Sequence, residues 1–547
     1  MKTFFTADLE TDPFKAGRRV KAFASAVHDG KTTVLFWGVD CIQKLLTFLR
    51  DKDGICFLHN GGRFDIHHLL KFMQTRDIDP TPRLIGGRVV SLRWRGIDFR
   101  DSYALVPKPL KSWQKDDIKI WKLNTQHRQK YREEICSYLR GDVRFLHEMM
   151  SEMLTRYAPK GPVPLTLAGL TFKIMEKDFG IKIVHTPRSF DRKMRPYYFG
   201  GRVQFWRLGR IVGNMSIVDI NSAYPRAMTE KHFWGAGMKI SAGKGKIDPH
   251  SFYRIETEKA LGYFPLRTRD GLEFPIGAGD FRVTGWELQT FPGKYKILTR
   301  ICPKKLVTFK AYTLHFYGLK EHATDKAERY FAKIILNSFY GKLAQNDANY
   351  KETLIREYRD WPKGKGWELV ADDKESGRSI FQKPAPKIQD PFCVATGASI
   401  TGWVRAELSR VIAKNPDVVY CDTDSLIAPR PVIGCDIGSG LGQWKLEMHC
   451  DVIWVAGKKL YAAHNAEFEW HKSKPSRTGW IHVPGMGWTS ASPEAWKCAA
   501  KGVRLPIKDI IAIAEGHTRT YSQSAPSYSL GREEKFIRRT IRRSDKR

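Results

Sequence analysis

The sequence contains no apolar run that approaches the roughly 18 residues of a membrane-spanning helix, so no membrane partner is expected. It also has no C-x-x-C pair. Its nine cysteines, an odd number, are scattered from Cys41 to Cys498, which argues for reduced intracellular thiols over a disulfide or zinc framework. Asp8 arrives too early for the apolar core of a signal peptide, and a cytoplasmic location is expected. Acidic residues are scarce against basic ones. With 58 Asp+Glu and 92 Lys+Arg the formal net charge is +34. A surplus of that size points to a polyanionic partner, nucleic acid being the commonest, and to salt-sensitive binding. Repeats are absent too: Gly-Gly-Arg recurs at 61–63, 86–88 and 200–202 with irregular spacing, which excludes a repeat architecture.

What is present is ample material for several cores. At 547 residues, with 42% apolar residues and 16 Trp, three or more substructures are expected. The first 150 residues or so alternate between strand-like segments (Thr3–Ala7, Thr32–Phe36, Ile55–Leu58, Val89–Phe99) and helix-like ones (Phe64–Met73, Tyr138–Leu154), an α/β layout. Ala158 to Pro164, rich in Pro and Gly, reads as a linker. Residues 346–390 are polar and read as an inserted hairpin or exposed subdomain. Arg538 to Arg547 is a basic run expected to fray or to touch phosphates. His67 and His68 read as packing or DNA-facing residues.

Tyr420-Cys421-Asp422-Thr423-Asp424-Ser425 carries the densest chemistry. Two carboxylates sit two apart in a turn between the apolar runs Val418-Val419 and Leu426-Ile427-Ala428, so they project to the same side of a β-ribbon. Like charges held that close repel, and a divalent cation removes the conflict. Met215–Ile220 reads as a buried strand that delivers Asp219 at its end, where Pro225 turns the chain. Asp219, Asp422 and Asp424, with Ile220 beside the first, form one candidate metal site for in-line phosphoryl transfer. Tyr224 is placed to lie flat under a sugar ring and to exclude a 2′-hydroxyl. On the predicted helix Ala327–Gln345, Arg329, Lys333, Asn337 and Tyr340 are spaced 4, 4 and 3 and share a stripe. Its two cations suit a triphosphate, and Tyr340 followed by Gly341 suits a base pair. A second acidic set stands near the N-terminus. Asp8 and Glu10 face one side of the first strand. Asp65 opens a helix, and Tyr138 and Asp142 share a helix face. Such carboxylates suit a hard metal pair, and the Tyr138 hydroxyl could orient a water.

These segments, in this order, resemble the motifs of family B DNA polymerases. Asp8-Leu9-Glu10, Asn60-Gly61-Gly62-Arg63-Phe64-Asp65 and Tyr138-Leu139-Arg140-Gly141-Asp142 are similar to the three motifs of DnaQ-like proofreading exonucleases. The segments holding Asp219, Lys333 and Asp422/Asp424 resemble polymerase motifs A, B and C. Gly457-Lys458-Lys459-Leu460-Tyr461 resembles the K-x-Y element, and Tyr198-Phe199-Gly200-Gly201 the Y-x-G-G element. The resemblance implies that Lys459 and Tyr461 meet the primer terminus. It also implies that Tyr198, Gly200, Gly201, Ser222, Asn60 and Phe64 contact DNA. One departure is Ala223, where the family usually has Leu.

The length, and Lys111 in the context Pro107-Lys108-Pro109-Leu110-Lys111, resemble the protein-primed branch, in which that lysine steadies the scissile phosphate. The implied fold is α/β and α+β multidomain. Residues 1–160 would be a ribonuclease H-like 3′→5′ exonuclease domain, and 161–229 the first part of a right-hand palm. An insertion that docks a terminal protein would occupy 230–315, the fingers 316–345, and a template-encircling insertion 346–390. The rest of the palm would be 391–470, with thumb and basic tail at 471–547, including Lys497-Cys498-Ala499-Ala500-Lys501. Implied cofactors are two Mg²⁺ per active site, with Mn²⁺ able to substitute. Implied partners are template and primer DNA, dNTPs and a terminal protein, around a monomeric, processive, strand-displacing enzyme that replicates the DNA of a phage or mobile element. A related polymerase started from DNA primers or without a primer is the alternative, followed by a DNA-gripping exonuclease without synthesis.

Overall fold

The computed structural model describes residues 4–13, 20–74, 81–85, 88–110, 118–158, 161–243, 245–269, 271–346, 351–373, 378–384, 390–465, 481–483, 487–489, 496–500, 505–525 and 535–543. A first seven-stranded sheet runs in the order 33–37, 22–28, 4–11, 54–58, 97–101, 88–94, 81–85. An interior strand, Phe4–Thr11, is buried at every position except the half-buried Asp8. It pairs parallel to Gly54–Leu58 and antiparallel to Ala22–His28. Helix Asp65–Gln74 packs through Ile66, Leu69, Leu70 and Met73 into the core formed with Phe5, Ala7 and Leu9. Helix Arg132–Tyr157 places Ile135, Leu139 and Val143 in a second core with Phe23, Ala24 and Ala26. The Thr6 hydroxyl fixes that helix by donating to the Val143 carbonyl at 2.6 Å. The two helices thus cover opposite faces of the sheet, the basis of a three-layer α/β sandwich.

The expected strand Val89–Phe99 is two, Arg88–Trp94 and Ile97–Asp101, joined in a hairpin. Arg95 at φ 51° and the Gly96 beside it make that turn, which an alternating apolar pattern does not reveal.

A second seven-stranded sheet, antiparallel throughout, runs in the order 496–500, 460–464, 444–457, 209–220, 425–429, 420–422, 203–205. Helices Leu167–Asp178, Lys310–His322, Lys326–Leu343 and Val394–Ile412 join Val218, Ile220, Cys421 and Leu426 of this sheet in one large core. Residues 496–500, within the region expected as the thumb, form the edge strand of this sheet, paired with Leu460–His464 more than thirty residues upstream; Lys501 lies outside the described residues. The expected boundary at 315/316 falls inside helix Lys310–His322.

Residues 238–303 build a four-stranded sheet of their own around Tyr253, Phe264 and Phe281. The hairpin or exposed subdomain expected in 346–390 is a three-stranded antiparallel sheet, 351–357, 378–384, 368–373, and it lies against strand Thr81–Ile85. Within the basic C-terminal run, residues 538–541 belong to strand Lys535–Ile541, paired with Arg519–Ala525 rather than frayed. Among the described residues no disulfide joins the cysteines. His68 packs against Phe64 with ring centroids 5.1 Å apart. No helix among the described residues is long and apolar enough to cross a membrane.

Candidate functional site: two acidic clusters

Strand pairing brings the first cluster together from segments two hundred residues apart. Ser425 sits opposite both Asp422 and Asp219, and the Ile220 N–H donates to the Asp424 carbonyl at 2.9 Å. Thr423, between the two aspartates, is held at φ 65°, and its N–H donates to the Arg202 carbonyl at 2.6 Å. Burial, then the neighbouring Asp424, pushes Asp219 up to about 7, against the pull of Lys497 and Lys445. Burial, then Asp422, pushes Asp424 up to about 6. The Asp424 charge raises the proton affinity of Asp219, a repulsion that a divalent cation relieves.

Asp422 stands apart, because the Lys459 ammonium donates to its Oδ1. Lys459 takes φ 58° in the turn Lys458–Lys459, and its N–H donates to the Tyr420 hydroxyl at 2.8 Å. Tyr461, 6% exposed, packs its ring 5.0 Å from that of Tyr420. Burial, then Asp422, pushes its hydroxyl pKa upward.

On helix Lys326–Leu343, Phe331, Ala332, Ile335, Leu336 and Phe339 face the core. Arg329, Lys333 and Asn337 are exposed and Tyr340 is half-buried, so the expected stripe exists. The Asn337 amide donates to the Lys333 carbonyl at 2.8 Å. Tyr224 and Tyr340 stack at 4.2 Å between centroids and 11° between planes. Burial pushes Tyr340 up to about 12. Ser222, at φ 54°, accepts a hydrogen bond from Lys320 Nζ at 3.3 Å.

The two glycines of Tyr198-Phe199-Gly200-Gly201 differ in kind. A Cβ on Gly201 would lie 2.7 Å from Thr423 Cγ2 and 3.0 Å from the Tyr224 hydroxyl, whereas one on Gly200 would meet nothing within 4 Å. Arg405 braces this segment from behind, donating to the Phe199 carbonyl at 2.7 Å, the Gly200 carbonyl at 2.8 Å and Glu287 at 2.8 Å. The Tyr198 carbonyl accepts from Arg267 at 3.0 Å.

The second cluster is tighter. Carboxylate oxygens of Asp8, Glu10 and Asp142 all lie within 4.8 Å of one another. Burial, then Asp142 and Asp65, pushes Glu10 up to about 8. Burial, then Asp65, Asp142 and Glu10, holds Asp8 well above the usual carboxylate range. Asp65 lies outside that close trio, is 2% exposed and is pushed by burial up to about 7. Its Oδ1 has no hydrogen-bond partner among the described residues. Tyr138 hydrogen-bonds Asp142, and burial, then Asp142, drives its hydroxyl pKa upward. Asn60, at φ 56°, accepts from Arg88 at 3.0 Å, and Arg88 also pairs with Asp101 at 2.8 Å. Lys111 lies outside the described residues.

Arg405, Lys320, Lys445 and Lys497 escape sequence reading. Each is one basic residue among 92, and only the packing sets it beside an acid, a carbonyl or a hydroxyl of these segments.

A model of DNA polymerase type B, organellar and viral, matches residues 111–381. The chain is 32% identical over 559 residues to the DNA-directed DNA polymerase of Enterobacteria phage PRD1, covering 98% of this chain and 97% of the relative. Its fold is similar to that of phi29 DNA polymerase in an orthorhombic crystal form, with TM-score 0.74, 18% identity and 100% of both chains covered. It is also similar to phi29 DNA polymerase complexed with primer-template DNA and incoming nucleotide substrates, with TM-score 0.71, 16% identity and 100% of both chains covered. The mixed α/β multidomain class expected from the sequence is thereby met.

Proposed function

This chain belongs to the type B DNA polymerases of organellar and viral kind, and from that membership we propose that it is a protein-primed replicase that builds strands at one acidic cluster and trims them at the other. It is a phage-type DNA-directed DNA polymerase. The observation that carries the reading is the pairing of Ser425 with both Asp219 and Asp422, which brings Asp219 beside the 422–424 turn. A second, separate trio at Asp8, Glu10 and Asp142 supplies the trimming half.

The donor sets fit hard divalent cations, as carboxylates alone would offer, and the partnerless, buried Asp65 Oδ1 fits the same chemistry. Magnesium, two ions per site with manganese able to substitute, would supply activation of the attacking oxygen and stabilisation of the leaving one. Asp219, the Ile220 main chain and Asp424 hold that charge at the extension site, and Asp422 supports them under the grip of Lys459. Lys333 and Arg329 bind the triphosphate of a dNTP from the exposed stripe, with Asn337 beside them. Tyr224 presents a flat wall that disfavours a 2′-hydroxyl, and Tyr340 faces the base pair. Lys459 and Tyr461 meet the primer terminus, and Tyr198, Gly200, Gly201 and Ser222 the template-primer duplex.

At the trimming site Asp8, Glu10, Asp65 and Asp142 form the ligand set. Tyr138 orients water, Lys111 steadies the scissile phosphate, and Asn60 and Phe64 hold the frayed strand. Residues 1–160 form the exonuclease domain and the antiparallel sheet the palm. Residues 230–315 dock a terminal protein, and the three-stranded insertion encircles template, giving processivity and strand displacement to a monomer that works in the host cytoplasm.

Replacing Asp422 and Asp424 together with Asn should abolish primer extension and spare degradation of single-stranded DNA. Replacing Asp8 and Glu10 with Ala should do the reverse. Loss of both activities in either variant contradicts the two-site reading. A labelled protein–nucleotide adduct, formed from template, dNTPs and a candidate terminal protein, tests the priming mode.

A further inference from the structure

Behind the extension site, on the other face of the same sheet, lies a cavity of about 240 Å³. The pairing Val203–Asp422–Ser425–Asp219–Lys445 puts those five side chains on one face. Arg202, Gln204 and Trp206 alternate with Val203 and Phe205, so they point to the opposite face. There they line the cavity with Tyr263, Ser409 and Ala413.

Arg202 is 3% exposed, and among the described residues no carboxylate pairs with it. Its Nε and Nη2 donate to Gln204 Oε1 at 3.0 and 2.6 Å, and Nη1 donates to Ser409 Oγ at 3.3 Å. Its guanidinium lies 5.4 Å from the ring of Trp206 and 4.6 Å from that of Phe274. A guanidinium has five N–H donors, so two remain beyond these three bonds. The contrast is Arg405, equally buried but neutralised by Glu287. A cation taken out of water without an acid costs several kcal/mol, and burial depresses the Arg202 pKa. An arriving anion would remove that penalty.

The walls narrow the ligand further. Trp206 and Tyr263 offer flat apolar faces, and Gln204 and Ser409 offer an amide and a hydroxyl. The volume lies below the roughly 300–1,000 Å³ of drug-sized clefts, which limits the occupant to a small molecule. We propose that this cavity binds a nucleoside monophosphate, its phosphate on Arg202 and its base against Trp206 or Tyr263. The Arg202 carbonyl already holds the Thr423 N–H, so the ligand sits one residue behind the turn of the extension site.

The test is calorimetric titration of the full-length chain with dAMP in EDTA. Wild type should bind dAMP at least tenfold more tightly than deoxyadenosine or inorganic phosphate. Ala413→Trp, which fills the exposed rim, should weaken binding at least tenfold, as should Arg202→Met. If Arg202→Met fails to fold, Ala413→Trp decides. The combined Asp8→Ala and Glu10→Ala variant, and Lys333→Ala, should bind as wild type does. Undiminished binding by Ala413→Trp overturns the proposal. So does loss of binding in the acidic-site or Lys333 variants, equal affinity for phosphate alone, or no binding at millimolar dAMP.

Discussion

Replacing Arg405 with Met should be among the most damaging single changes outside the two acidic clusters. The side chains of Arg405 and Glu287 are 1% and 3% exposed and meet at 2.8 Å. Breaking such a pair leaves a buried charge without compensation, which costs about 3–5 kcal/mol. The Phe199 carbonyl, on a residue 6% exposed, also loses its donor and adds about 1–3 kcal/mol. The Gly200 carbonyl is on an exposed residue, so water can replace the arginine there. The sum, about 4–8 kcal/mol, is comparable with the roughly 5–15 kcal/mol that holds a whole domain folded. Glu287→Met alone should cost about 3–5 kcal/mol, plus about 1 kcal/mol for the capping box it closes with Thr284. The double variant Arg405→Met/Glu287→Met removes both charges together. It should therefore be more stable than the two single losses added, by roughly 3 kcal/mol. Urea unfolding, with hydrogen exchange in helix Val394–Ile412, measures all three variants. Losses that add within about 0.5 kcal/mol would refute the claim that these two charges depend on each other.

Three further outcomes are expected. Metal must displace protons from Asp219, near 7, and Asp424, near 6, so the magnesium concentration for half-maximal extension should fall as pH rises through that range; an unchanged requirement across it would contradict the assignment. The metal-free fold responds in the opposite sense: Glu10, raised to about 8, stabilises the folded chain most below its unfolded value near 4.3 and loses that contribution as pH climbs through its folded value. Melting in EDTA should accordingly fall over that window in wild type and fall less in Glu10→Gln. Gly201→Ala would set a methyl 2.7 Å from Thr423 Cγ2, so extension should drop at least tenfold while single-stranded DNA is still degraded.

Sequence alone determined the chemistry and the local elements. Asp8/Glu10 and Asp422/Asp424 are legible because a strand's period of two puts residues i and i+2 on one side. The stripe from Arg329 to Tyr340 is legible because a helix repeats every 3.6 residues. Both are short-range geometry, written in spacing. The edge strand 496–500, the brace of Arg405 on Phe199 and Gly200, the stack of Tyr224 on Tyr340 and the burial of Arg202 against Ser409 were decided only by tertiary structure. Each depends on which distant segments lie side by side, and so on the packing of many side chains at once, which no spacing within one segment encodes. The same holds for proton affinity: an aspartate's pKa is raised by burial and by neighbours far along the chain, so Asp219 reads as an ordinary acid until the sheet closes around it.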